Sequence, residues 1–157
     1  MAIIWRPQMS VGNDIIDLDH RYLLAIINMV ELSLRYNDDF FDTALDLLVE
    51  YTHDHFNREE KIQLKIKYPE YADHKLEHQK LLSTLAEIVG HLKKLNAQPK
   101  ARTIEATAEE TEATTTAKLS IEEYDKEVDE LIKLLRSWIV DHVLGLDMKM
   151  KPYMTNV

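Results

Sequence analysis

Apolar residues recur at three- and four-residue steps along four stretches of this chain, the spacing that lines up side chains on one face of an α-helix. Few breakers interrupt them, since the 157 residues include only three Gly and four Pro. The pattern predicts an all-α protein, and four such stretches predict an up-down-up-down antiparallel four-helix bundle. A chain of this length is read as a single domain, 1–157, able to bury a core of its own.

The stretches have distinct limits. An extended N-terminal arm runs through about Ile16, and Asp17 is the expected N-cap of a first helix, Leu18 to Tyr36, with Leu23, Leu24, Ile27, Val30 and Leu34 on its apolar side. The second helix spans Phe40 to Ile66. In YPEY, Pro69 disfavours helix at Tyr68 and suits the first turn of a third helix, whose seam runs Tyr71, His74, His78, Leu81, Leu85, Ile88, Leu92 and Leu95. SIEE at 120–123 reads as a capping box opening a fourth helix, which continues through Val128, Leu131, Leu135, Trp138 and His142 and stops near Gly145. Residues 96–119, rich in Ala, Thr and Glu, form a long loop between helices three and four. They read as a mobile surface insertion, with a short helix or partner-binding segment as the alternative.

Polar residues fall on the faces that should be buried. In YTHDHFNREE, residues 51–60, His55 and Glu59 lie four apart and so stack over one another within the stripe that also holds Leu48, Phe56 and Ile62. His20 opens helix one, His74 and His78 open helix three, and His142 and Asp147 lie around the end of helix four. In a bundle of alternating direction, all seven lie at one end. Burying five imidazoles and two carboxylates without partners would cost several kcal/mol apiece, roughly, a cost that a metal ion removes. His53 and His91 fall off these faces and read as surface histidines.

Composition limits the chemistry. With no Cys there are no disulfides and no thiolate ligands, so imidazole and carboxylate must hold any metal. Five nitrogens and two carboxylates exceed one tetrahedral zinc and suit two octahedral ions, iron being the natural choice. A formal charge of −9 without basic clusters argues against nucleic acid. No stretch is long enough for membrane insertion and none reads as a signal peptide, so a cytoplasmic location is expected.

WRPQMSVGNDIIDLDHRYL, HFNREE, YPEYADHKLEH and WIVDHVLGLD together resemble the bacterial hemerythrins, over nearly the whole chain except 96–119. A lone HxxxE or HxxxH is weak, whereas the ordered set of His, HxxxE, HxxxH and HxxxxD is specific. The resemblance implies an oxo- or hydroxo-bridged pair of irons, one held by His74, His78 and His142 and the other by His20 and His55, with Glu59 and Asp147 bridging. It also implies reversible binding of dioxygen at the position left open on the second iron. Leu23, Phe56, Trp138, Ile139 and Val143 adjoin the ligands and would wall that position with apolar groups. Three residues depart from the family pattern: Asp19 stands where Gln is common, Gln63 where Met is usual, and Met150 where Tyr is frequent. Gln63 would admit water if it faced the pocket and would be neutral if it faced solvent.

Three functions fit such a site. The first is reversible oxygen binding, with delivery to an oxygen-consuming enzyme as one use. The second is oxygen or redox sensing coupled to a signalling output domain, in which case the chain would be a piece of a longer protein. The third is an enzyme acting on peroxide or nitric oxide, for which Asp19 and Gln63 are the candidate acid and polar group.

Overall fold

A computed structural model describes residues 2–36, 38–97 and 121–156. Four long helices dominate it: α1 (Asp14–Tyr36), α2 (Phe41–Lys65), α3 (Tyr71–Asn96) and α4 (Ile121–Asp141). No strand occurs among the described residues. Helix α1 packs on α2 and α4, and α3 packs on the same two, which closes a four-helix bundle. Its core is made of the apolar stripes read from sequence, including fully buried Ile27, Leu34, Leu45, Leu48, Leu92 and Leu135.

Helix α1 begins at Asp14, four residues before the expected Leu18, because Asn13 supplies the cap. Its Oδ1 accepts the backbone N–H groups of Ile15 and Ile16 at 3.1 and 3.2 Å. Asp17 is therefore not an N-cap. Inside the helix its carboxylate accepts Ser10 Oγ–H at 2.5 Å and Val11 N–H at 2.8 Å, fastening the preceding chain to the helix start. The arm, which includes a short 3-10 turn at Pro7–Met9, also exchanges two 2.8 Å hydrogen bonds between the Ile3 backbone and the Asn28 side chain. Trp5 packs on the core, with the Arg21 guanidinium 5.4 Å from its ring centre.

Helix α2 ends in a Schellman motif. Tyr68 N–H bonds to the Gln63 carbonyl at 2.9 Å and Lys67 N–H to that of Leu64 at 3.2 Å, with Lys67 in the left-handed region at φ 53°. Pro69 lies in the turn that follows, so α3 starts at Tyr71, two residues later than predicted. The expected insertion at 96–119 and Ser120 of the capping box lie outside the described residues, apart from Asn96 and Ala97 at the end of α3.

Helix α4 gives way at His142 to a π-helical turn, His142–Leu146, followed by a 3-10 segment, Asp147–Asn156. Met150 and Met154 of that segment are buried with Val11, Ile16 and Tyr68 in a second small core at this end of the bundle.

Candidate metal centre

The bundle brings all seven predicted polar residues together. His20 comes from the second turn of α1, His55 and Glu59 from the second half of α2, and His74 and His78 from the first three turns of α3. His142 and Asp147 open the two turns after α4. The beginnings of α1 and α3 are thus level with the ends of α2 and α4. All seven are buried, and His20, His55, Glu59 and Asp147 are without solvent exposure.

The π turn is needed for the last pair. Five residues along a regular α-helix rotate a side chain by roughly 140° off its starting face. Here the backbone N–H of Asp147 bonds instead to the carbonyl of His142, widening the turn until the two side chains face each other, Nε2 to Oδ2 3.2 Å.

Two overlapping groups result, each with its donor atoms within 4.8 Å of one another: Glu59, His74, His78, His142 and Asp147, and His20, His55, Glu59 and Asp147. Both carboxylates belong to both groups. Glu59 Oε1 lies 2.8 Å from His74 Nε2 and 3.3 Å from His78 Nε2, while Oε2 lies 3.6 Å from His55 Nε2. Asp147 Oδ2 lies 3.0 Å from His20 Nε2, and Oδ1 3.3 Å from His74 Nε2.

These distances are short, yet the atoms do not satisfy one another. Nε2 of all five histidines, Glu59 Oε2 and both oxygens of Asp147 are buried without a hydrogen bond of acceptable geometry. Twelve buried side-chain atoms of this cluster and of Gln63 beside it are in this condition. Buried polar groups are otherwise almost always paired. Lone pairs converging on shared space from imidazole and carboxylate, with no thiolate, suit a cation of iron's type.

Electrostatics agrees with that fit. Burial and the nearby Asp147 push the Glu59 carboxyl up, but the imidazoles of His74, His78 and His55 more than reverse this and hold it at about 2. Asp147 likewise lies well below the usual carboxylate range, because His142, His20 and His74 outweigh its burial. Among the described residues, no Lys or Arg pairs with either carboxylate. In the protein alone the compensating charge falls on histidine: burial opposes protonation of His74, but Asp147 and Glu59 raise it to about 9. His142 goes the other way, to about 4, because its burial outweighs the carboxylates.

Outside the cluster, further groups aim the imidazoles. His78 Nδ1 lies 3.1 Å from Glu60 Oε1, and since a carboxylate only accepts, Nδ1 carries the proton and Nε2 turns its lone pair inward. Lys75 holds the other Glu60 oxygen at 3.1 Å. His55 Nδ1 is 3.5 Å from Asp19, whose carboxylate accepts from Arg58 Nε at 2.8 Å, Arg58 at 2.9 Å and Tyr51 O–H at 2.7 Å. Asp19 therefore lies on the outer nitrogen of His55, not on the face shared with Glu59. Sequence reasoning missed Tyr51, Arg58, Glu60 and Lys75. Arg58 is 39 residues from Asp19, so no local spacing could have revealed the pair.

The five expected pocket residues, Leu23, Phe56, Trp138, Ile139 and Val143, are all buried. Phe56 touches the ligands directly, its ring centre 3.9 Å from that of His78 and 5.0 Å from that of His142. Trp138 is held by its indole N–H, which donates to the Leu81 carbonyl at 3.0 Å. Gln63 faces the cluster and not solvent: its amide donates to Glu59 Oε1 at 2.9 Å and to Met150 Sδ at 3.0 Å. His53 and His91 are exposed.

Residues 11–154 match the family model of the hemerythrin HHE cation binding domain. The chain is 25% identical over 149 residues to a bacteriohemerythrin of Clostridium acetobutylicum, covering 92% of this chain and 95% of that protein. A bacteriohemerythrin of Stenotrophomonas maltophilia is 28% identical over 86 residues, 54% of this chain and 56% of its own. Hemerythrins hold a di-iron centre, and the buried His, Glu and Asp cluster is suited to one. With the family match extending across all four helices and every residue of the cluster, this chain belongs to the hemerythrin family.

Proposed function

We propose that this protein binds dioxygen reversibly at a di-iron centre in which His74, His78 and His142 hold one iron, His20 and His55 the other, and Glu59 and Asp147 bridge them. The observation that carries this reading is the unequal division of five imidazoles around two carboxylates common to both groups. One side has a nitrogen donor fewer, which leaves room for a small ligand there. When bound, a pair of ferrous ions supplies two electrons to dioxygen and recovers them on its release.

The protein's own part is to orient and to exclude water. Glu60 fixes the outer nitrogen of His78 by a hydrogen bond and Asp19 sets its negative charge 3.5 Å from that of His55, which favours turning the inner nitrogens to the shared space. Leu23, Ile139 and Val143 contribute no polar atom to the pocket wall, and the one Trp138 donor is already used. Gln63, the polar residue that faces the cluster, lies against Glu59 Oε1 on the three-histidine side with both its N–H groups committed, so the apolar wall of the other side stays dry. That keeps protons and water from carrying off reduced oxygen and favours carriage over turnover.

The test is an iron determination with absorption spectra of anaerobically reduced protein before oxygen, after oxygen and after its removal. Two irons per chain and a visible charge-transfer band that comes and goes support the proposal. Immediate irreversible oxidation would overturn reversible binding. Absence of iron would overturn the centre itself.

One observation favours a sensing use of the same site. Asp147 lies at the junction of the π turn and the 3-10 segment, so a change in its ligation acts directly on Asp147–Asn156. Limited proteolysis of this segment in oxidised and reduced protein tests it, and identical cleavage would count against sensing.

A further inference from the structure

We infer that Gln63 is a positioning residue that sets the reduction potential of the centre by donating an amide hydrogen bond to Glu59 Oε1. This rests on the di-iron reading above and assigns a role to a residue outside the ligand set.

Gln63 follows Glu59 by one helical turn on α2 and has no solvent exposure. Its amide nitrogen lies 2.9 Å from Glu59 Oε1, the same oxygen that faces His74 and His78, so it acts on the three-histidine side. A carboxylate offers only acceptors, which fixes the amide with its NH2 towards Glu59. Both N–H bonds are then committed, the second to Met150 Sδ at 3.0 Å. Met150 is itself fully buried, in the segment that begins with Asp147. The amide is thereby held between a residue of each carboxylate's own element.

Packing alone gives no reason for an amide at this position. The Gln63 carbonyl oxygen is buried with no hydrogen-bond partner, which costs stability that a Leu or Met of similar volume would not incur. What the amide provides is a charge-assisted hydrogen bond to a carboxylate that would be shared by both irons. Such a bond withdraws electron density from the carboxylate and weakens its donation, which favours the ferrous over the ferric state. Held from outside, the Glu59 carboxylate also cannot swing away from His74 and His78.

The experiment compares the iron-loaded protein with Gln63→Leu and with Gln63→Met, two donor-free side chains of similar volume. Both variants should load two irons and melt no lower than the parent, but their midpoint potential should fall, the ferrous form losing about tenfold in relative stability, roughly 59 mV for one electron. A purely structural role predicts the reverse: a lower melting temperature and an unchanged potential. In the iron-free parent, the Gln63 side-chain amide protons should exchange slowly with solvent, and rapid exchange would overturn the hydrogen bond itself. An unchanged potential in either loaded variant would overturn this assignment and leave the di-iron proposal standing. Failure of the parent to load two irons would overturn both.

Discussion

Phe56 lies flat on the His78 imidazole, with ring centroids 3.9 Å apart and planes 5° from parallel. Glu60 holds the outer nitrogen of the same imidazole, so this histidine is fixed both in plane and in tilt. Phe56→Leu should keep most of the apolar volume and lose the stack, costing about 1 kcal/mol of unfolding free energy. Phe56→Ala should cost about 3–5 kcal/mol by opening a cavity between α2 and the ligands. Denaturant unfolding of the two variants measures this, and an unchanged stability in Phe56→Leu would show that the stack adds nothing to volume.

Lys67 offers a test that does not involve the metal. At φ 53° it takes the left-handed position that closes α2, a conformation costing a side chain of ordinary type roughly 1 kcal/mol or more. Lys67→Gly should relieve that strain. Since glycine also loosens the unfolded chain, the net gain should be up to about 1 kcal/mol in thermal unfolding, with iron content unchanged.

Loss of His142 should separate the two halves of the site. His142→Ala removes a donor from the five-residue group alone and should leave one metal per chain where the parent holds two. His53→Ala and His91→Ala, at exposed positions, should leave loading at two. Metal analysis after desalting decides this, and iron loss in either surface variant would show that the ligands have been misassigned.

The site was legible in the sequence where ligand spacing matches the helix repeat. His55 with Glu59, and His74 with His78, stand four apart and face one way on any α-helix, so local sequence was enough. His142 and Asp147 stand five apart, which a regular helix would splay; only the wider π turn reconciles them, and nothing in HVLGLD announces it to a reader of periodicity. The four helices were legible for the same reason as the short pairs, from the repeat of their apolar stripes. The start of α1 was misplaced because two acceptors compete there. Asn13 caps the helix, and Asp17 instead accepts from Ser10 and Val11, a choice made by the path of the arm. Asp19 with Arg58 and Glu60 with Lys75 join different helices, and such pairs become visible only when the bundle is assembled.

The iron-free protein should have a stability optimum near neutral pH, bounded on both sides by ligands. Glu59 has its folded pKa depressed to about 2, so its contribution is present above the ordinary carboxylate value and lost as pH falls towards 2. His142 is also depressed, to about 4; between its ordinary value of 6.5 and 4 the unfolded chain takes up a proton that the folded one refuses, which lowers stability as pH falls. His74 is raised to about 9, so its contribution is full below 6.5 and lost as pH rises through 9. Urea midpoints of chelator-treated protein between pH 4 and pH 10 measure the curve on the order of these values. A midpoint that stayed constant across that range would contradict it. Iron, by replacing these protons, should raise the midpoint at every pH where it stays bound.

Asp19→Asn tests whether the groups outside the cluster matter to metal binding. The asparagine keeps the shape, and its one oxygen can still accept from Tyr51 and from one terminal Arg58 nitrogen, but it removes the acceptor of Arg58 Nε and the negative charge 3.5 Å from His55 Nδ1. Burial opposes ionisation of Asp19, yet His55, Arg58 and Tyr51 hold it well below the ordinary carboxylate range, so at neutral pH the charge is present to be lost. His55 then becomes a weaker donor and is less firmly oriented. Affinity on the two-histidine side should fall by about 10–100-fold while the three-histidine side is unaffected. Metal titration of the iron-free variant should then resolve two steps of unequal strength. If both steps weaken together, Asp19 supports the bundle as a whole; if neither does, the Asp19 carboxylate serves only Arg58 and Tyr51.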